Sequence, residues 1–383
     1  MKNKIFLLVW VMLSSCSPTG SLYNDFGSLK QRQQAESAGA PIRIYFDRNG
    51  FLYPDFRIDS TLFKRYGSLL NTVYQNNSVL FLNVCKAEGM LYQSSKTTRE
   101  NIEILRQHQD QKYSNAIDKA SAGKTLVFLI HGYNNTGEKA AKSFSSLRAA
   151  VSKLKPQSRF QFVEVYWDGL HNGGKIGNTA KIWDNAQYSA ARAGLGLRRI
   201  LNSISSKHSF VITHSQGAAV ITEALFNVRR FSNRFYDKDS LGIAIIRMRN
   251  SPLYNSPSSR FTVGMLAPAI PGKNVFEHYY MRTVEGKNMY QPSEPYNFIN
   301  GFNKYDFAVT KLLFSRYAGS TTLACREKEH IKVQELFKGD LSLYDRVVFS
   351  KSHGHRQTSH GVKDYIANEN FPIFIEKILA QEQ

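Results

Sequence analysis

From Thr125 onward, short apolar runs alternate with stretches of helical periodicity. The runs Thr125 to Ile130, Phe160 to Trp167, Phe210 to Ile212, Phe261 to Leu266, Tyr296 to Ile299 and Arg346 to Phe349 predict strands, and Glu138 to Leu154, Asn185 to Ser203 and Gly217 to Val228 predict helices. Nearly continuous apolar strands separated by helices are the mark of an α/β fold, a mainly parallel sheet buried by helices on both faces. The stretches 229–260 and 311–344 break this rhythm and are expected to be cap-like insertions above the sheet.

The first third of the chain reads differently. Pro41 to Pro54 predicts a hairpin, with Ile42, Ile44 and Phe46 alternating before an Asp47-Arg48-Asn49-Gly50 turn and a return through Phe51 to Tyr53. Val79 to Val84 is an apolar strand candidate and Thr98 to Ala120 a polar helix, so 41–120 is expected to be a strand and helix extension packed on the core. Before it, Lys2 and Lys4 precede the apolar Ile5 to Leu13, the composition of an export leader, and the run is short for a membrane span. Leu13-Ser14-Ser15-Cys16 resembles the lipobox of bacterial lipoproteins. That resemblance implies removal of residues 1–15, acylation of Cys16, and an exported protein held to a bacterial membrane of the cell envelope, the outer membrane above all. Several acyl chains on one residue would anchor it stably, each buried CH₂ contributing about 0.8 kcal/mol. Residues 16–40, rich in Ser, Gly, Gln and Asn, read as a flexible tether.

The remaining composition narrows the function classes. Hydrophobic residues make up 42% of the 383, enough for one large packed domain, and exclude wholesale disorder. The net charge of +20 favours anionic surfaces, but the basic residues are scattered and no nucleic-acid motif accompanies them, so no specific nucleic-acid partner is expected. Beyond Cys16 only Cys85 and Cys325 remain, and two thiols leave a disulfide and two free cysteines equally open.

The segment Phe210 to Ala219 carries the chemistry. An apolar strand runs into Thr213-His214-Ser215-Gln216-Gly217, where small residues open a helix. A serine on such a tight strand-to-helix turn projects its hydroxyl at the carboxyl edge of the sheet, with a helix N-terminus behind it. The usual G-x-S-x-G pattern has Thr213 in place of its first glycine. Upstream, Leu126 to Ile130 ends in His131-Gly132-Tyr133-Asn134-Asn135.

These two motifs, with Met265-Leu266-Ala267-Pro268-Ala269-Ile270, resemble the α/β-hydrolases, in particular bacterial serine hydrolases with His-Gly-Tyr loops and His-Ser-Gln-Gly elbows. The resemblance covers residues from about Thr125 to Ala367, two-thirds of the chain. It implies Ser215 as nucleophile and an oxyanion hole from the backbone N–H groups of Gln216 and Tyr133, with His131 and Gly132 bracing that loop. It also implies an acid and then a histidine later in the chain. Asp306, after the strand-like Tyr296 to Ile299 and a turn-rich segment, is the favoured acid. Glu294 is the next choice, Asp237 and Asp239 lie in a charged insertion, and Asp340 and Asp345 come late. His360, just before the helix-like Val362 to Ala367, is the favoured base, with His353 and His355 as competitors.

Three histidines in one loop also invite a metal reading, but their spacing is not the H-E-x-x-H arrangement and no cysteine lies nearby, so no metal and no cofactor are expected. The expected activity is cleavage of carboxylic esters, lipid or small acyl esters, through an acyl-serine. Because this fold also hosts proteins without activity, a surface-anchored binding or scaffold protein is the competing expectation. Protein partners are not legible.

Overall fold

The computed structural model describes residues 39–380 apart from 56–57, 60–61, 63–68, 170–178, 207, 227, 229–259, 277–280, 285–286, 291–295 and 311–320. Along the chain come β1 (Ile42–Phe46), α1 (Leu70–Asn76), α2 (Ser78–Ala87), α3 (Thr98–Ser121), β2 (Thr125–Ile130), α4 (Gly137–Leu154), β3 (Phe160–Trp167), α5 (Thr179–Leu201), β4 (His208–His214) and α6 (Gly217–Leu225). There follow β5 (Arg260–Leu266), α7 (Lys273–Phe276), β6 (Met281–Val284), β7 (Lys287–Tyr290), β8 (Tyr296–Phe302), α8 (Phe307–Thr310), α9 (Glu327–Leu336), β9 (Tyr344–Val348), β10 (Lys351–Ser352), β11 (His355–Arg356), α10 (Val362–Ile366) and α11 (Phe371–Leu379).

Seven strands form one sheet in the order β1-β3-β2-β4-β5-β8-β9, and every pair in it is parallel. Strand alternation divides the apolar residues between two cores. Phe128, Ile130, Val163, Val165, Val211 and Val263 face the side covered by α5, α6, α7 and α9. Val127, Leu129, Phe162, Phe210 and Ile212 face α1, α2, α4, α10 and α11. The helix α3 gives Ile102 and Leu105 to the second core and Ile117 to the first, so it wraps the β1 edge, the place where an open sheet invites unwanted pairing. The expected parallel α/β architecture is present, and each expected strand from Thr125 onward lies within, or one residue beyond, an observed one.

Two expectations in the extension are corrected. Val79 to Val84 is part of the helix α2, not a strand. Leu80, Phe81, Val84 and Cys85 are buried while Val79 and Leu82 are exposed, which is the helical spacing, and the Asn77 side chain caps the helix by accepting from the Leu80 N–H at 3.0 Å. The hairpin at Pro41 to Pro54 turns as expected, but its return makes only one antiparallel bridge, Phe46 to Leu52. The principal partner of β1 is β3, in parallel. Asp47 explains the departure: its buried carboxylate accepts N–H bonds from Asn49, Phe51 and Leu70, at 2.8, 2.9 and 2.9 Å, and draws the chain away toward α1.

The leader, Cys16 and the tether to residue 38 lie outside the described residues, as do Asp237, Asp239, Glu294 and nearly all of 229–260. In 311–344, the helix α9 leads from the β8 side into β9. Cys85 and Cys325 are both buried free thiols. No helix among the described residues is long and apolar enough to cross a membrane.

Candidate active site

Ser215 stands at the carboxyl end of the central strand β4, with φ of +54°. A non-glycine residue in the left-handed region is strained, and strain of this kind persists only where the surroundings fix it. Here they do: the Ser215 N–H donates to the Leu266 carbonyl at 2.9 Å, and the Ser215 carbonyl accepts from the Ala269 N–H at 3.1 Å and the Ala218 N–H at 3.2 Å. The Met265 to Ile270 segment therefore clamps the serine's backbone from the next strand. On the other side the chain comes so close that only glycines fit. A Cβ on Gly132 would stand 2.8 Å from the Ser215 Cβ, and one on Gly217 would stand 2.6 Å from the Ile130 carbonyl oxygen.

The loop after β2 is braced by His131, both of whose ring nitrogens are engaged. Nδ1 donates to the Gly132 carbonyl at 2.6 Å, so Nε2 is the acceptor that receives the Trp167 N–H at 3.1 Å. Its ring stacks on Trp167 at 5.6 Å, and burial pushes its pKa down to about 4, so the imidazole is neutral. Asn134, at φ of +54°, and Asn135, whose amide donates to the Gly132 carbonyl at 3.1 Å, complete the turn. Tyr133 packs edge-on to Trp183 at 4.8 Å and joins a small apolar cluster of Trp183, Ala269, Val309, Ala324 and Cys325.

Asp306 is fully buried at the start of α8, and four donors converge on its carboxylate. Oδ1 accepts from the Ala308 and Val309 N–H groups at 2.9 and 3.4 Å. Oδ2 accepts from His360 Nδ1 and from the Tyr365 hydroxyl, both at 2.7 Å. Tyr365 is held in turn by the Asn303 amide at 3.2 Å, and burial beside Asp306 raises its pKa well above the ordinary tyrosine range, so it stays a proton donor. With Nδ1 spent on Asp306, His360 presents Nε2 as an acceptor.

The structure thus brings Asp306 and His360 together and sets the His360 ring against that of His214, the residue before Ser215, with ring centroids 4.7 Å apart. No hydrogen bond joins Ser215 Oγ to His360 Nε2. The competitors are elsewhere. His353 occupies the left-handed tip of the β10–β11 hairpin and pairs with exposed Glu369, while His355 is exposed on β11. Asp345 is engaged by Lys377 and Asp340 caps the turn at Ser342. Among the described residues no group of three or more His, Cys, Asp or Glu side chains is placed to hold a metal ion.

Sequence reading passed over two contributors, the Tyr365 hydroxyl on Asp306 and the Asn303 amide behind it. An aromatic hydroxyl on the first turns of the helix after His360 was the signal for one. An Asn three residues before the acid was the signal for the other.

No curated protein matches the chain. Residues 106–251, from within α3 past the elbow helix α6, match the family model described as an alpha/beta hydrolase of unknown function (DUF900). That match, together with a seven-stranded parallel sheet sheathed by helices and carrying a strained serine at its carboxyl edge, makes this domain an α/β-hydrolase fold.

Proposed function

We propose that the protein is a serine hydrolase that cleaves carboxylic esters through an acyl intermediate on Ser215. One observation carries the reading: a buried, fully donated Asp306 orients His360 at 2.7 Å, against His214, the residue before a serine held in the left-handed turn. In the substrate complex His360 Nε2 closes on Ser215 Oγ, a contact that in free enzymes is often long. His360 takes the hydroxyl proton as Oγ attacks the acyl carbon. The oxyanion that forms is met by the Gln216 and Tyr133 N–H groups, each such donor being worth about 3 kcal/mol. His360 then returns the proton to the departing alcohol, and water, deprotonated by the same imidazole, releases the acid and restores Ser215. Asp306 stays ionised throughout and stabilises the imidazolium.

The reading extends to location. The Lys2 to Leu13 leader and Leu13-Ser14-Ser15-Cys16 support export and anchoring of the domain to a bacterial envelope membrane through acylated Cys16. A lipid or acyl ester within reach of that membrane is the proposed substrate class.

A fluorophosphonate probe reacts only with an activated serine. Protein lacking residues 1–16 is expected to be labelled at Ser215 and to hydrolyse an ester panel, and Ser215→Ala is expected to lose both. Folded wild-type protein left unlabelled would instead make it an inactive member of its fold, a binding or scaffold protein.

A further inference from the structure

We propose that His214, the residue preceding the nucleophile, is a positioning residue that sets the height of His360 over Ser215 by holding its backbone. The proposal rests on the hydrolase reading above. His214 closes β4, and its ring packs against the rings of His360, with centroids 4.7 Å apart, and Tyr365, with centroids 6.4 Å apart. Its Nε2 is 2.8 Å from the carbonyl oxygen of His360.

A carbonyl only accepts, so Nε2 carries the proton and Nδ1 is the bare nitrogen. Nδ1 is buried without a hydrogen-bond partner, on the side where Gly132 approaches, 3.2 Å from the place a Cβ there would take. Burial first, and then the neighbouring His360, push the His214 pKa down to about 3. His214 is therefore a neutral, one-proton donor at working pH and a poor base itself. It does not compete with His360 for the serine's proton.

The geometry gives the bond a consequence for the chemistry. Asp306 fixes the Nδ1 edge of the His360 ring, but a ring held at one edge still swings about that contact. The second fixed point is the His360 carbonyl, and it is fixed by the residue covalently next to Ser215. Base and nucleophile are thereby located with respect to each other through a single side chain, instead of through the sheet and the long connection from β4 to the loop after β11. Placement of a base to within a fraction of an ångström is where much of the rate of such a site resides.

A ring that merely fills space would be replaced by another ring without loss, which separates the two roles. His214→Phe keeps the volume and removes the donor; His214→Gln keeps an N–H₂ donor at the reach of Nε2. The expected result is a 10- to 100-fold lower kcat and labelling rate for His214→Phe, with KM within twofold and an unchanged circular dichroism spectrum, and recovery to within about fivefold in His214→Gln. A phenylalanine variant as fast as wild type, or a glutamine variant as slow as the phenylalanine one, overturns the proposal.

A second readout does not need turnover. In Ser215→Ala protein, the downfield Nδ1 proton of His360 on Asp306 is expected to be sharp by NMR, to broaden on adding His214→Phe, and to sharpen again with His214→Gln. An equally sharp signal in the Phe protein overturns the proposal even if wild type proves to lack esterase activity. The absence of labelling in wild type, by contrast, strikes the hydrolase reading alone.

Discussion

Two imidazole–carboxylate pairs have their histidines seven residues apart near the end of the chain, and they teach what the same two functional groups do in different surroundings. His353 Nδ1 stands 3.3 Å from Glu369 with the two side chains 76% and 45% exposed, while His360 Nδ1 stands 2.7 Å from Asp306 with the two at 23% and 0%. At the hairpin tip water competes for both partners, and the pair is worth little. Inside, Asp306 takes four hydrogen bonds and Tyr365 shares its Oδ2, so the imidazole meets a carboxylate that does not move. Burial of the acid, more than the identity of the base, separates the two.

The sharpest way to break the contrast is to remove only the negative charge. Asp306→Asn keeps the shape, but an amide offers one acceptor oxygen where the carboxylate uses both, Oδ1 for the Ala308 and Val309 N–H groups and Oδ2 for His360 and Tyr365; with the backbone keeping that oxygen, the N–H₂ faces His360. The imidazole then adopts the other tautomer and no longer presents Nε2 as an acceptor. A fall in kcat of about 10³- to 10⁴-fold is expected, with the protein still folded. Steady-state kinetics on an ester checks it, and a loss of less than tenfold would take the acid's role away from Asp306.

That contrast was only half legible in the sequence. Ser215, the His131-Gly132-Tyr133 loop and the parallel sheet announce themselves because their signals are local: an apolar run, a tight turn, small residues opening a helix. The choice between His353 and His360 rests on contacts across 54 to 146 positions, to Asp306 and to His214, which no local pattern encodes. One local signal did exist. His353-Gly354 is a two-residue hairpin turn, with φ of +48° and +81°, which sets His353 at an exposed tip. At Val79 to Val84 the error was of another kind, because a short apolar run fits a strand and a helix face equally until its Asn77 cap is weighed.

The second test uses acid. The buried imidazoles His131, His214 and His330 have pKa values lowered from 6.5 to about 4, about 3 and about 4, so between those values and 6.5 the unfolded chain binds more protons than the folded one. Their contribution to stability is complete above pH 6.5 and is lost as pH falls. His131 alone accounts for roughly 3 kcal/mol between pH 7 and pH 4, at about 1.4 kcal/mol per unit. Asp47 opposes it: its pKa is raised from 3.8 to about 6 by burial, the folded state holds the extra proton, and acid relieves it by an amount that offsets about one histidine. A net loss of several kcal/mol is expected in urea titrations at pH 4 against pH 7. In His214→Phe that loss should shrink by roughly 3 kcal/mol. An acid slope unchanged in that variant would mean the ring at 214 is protonated in the folded protein.

The smallest expected effect is the control that gives the others meaning. Glu369→Gln removes the same charge from the outer pair that Asp306→Asn removes from the inner one. The His353 N–H, which now donates to Glu369 at 2.7 Å, keeps an acceptor in the glutamine oxygen, so the hairpin tip is not left open. Only the charge beside the His353 ring is lost, and with both side chains largely in water that contact carries less than about 0.5 kcal/mol. Stability within that margin and kcat within twofold of wild type are expected at pH 6 and at pH 8. A loss of activity comparable with that of Asp306→Asn would transfer the base from His360 to His353, and with it the meaning of the buried carboxylate.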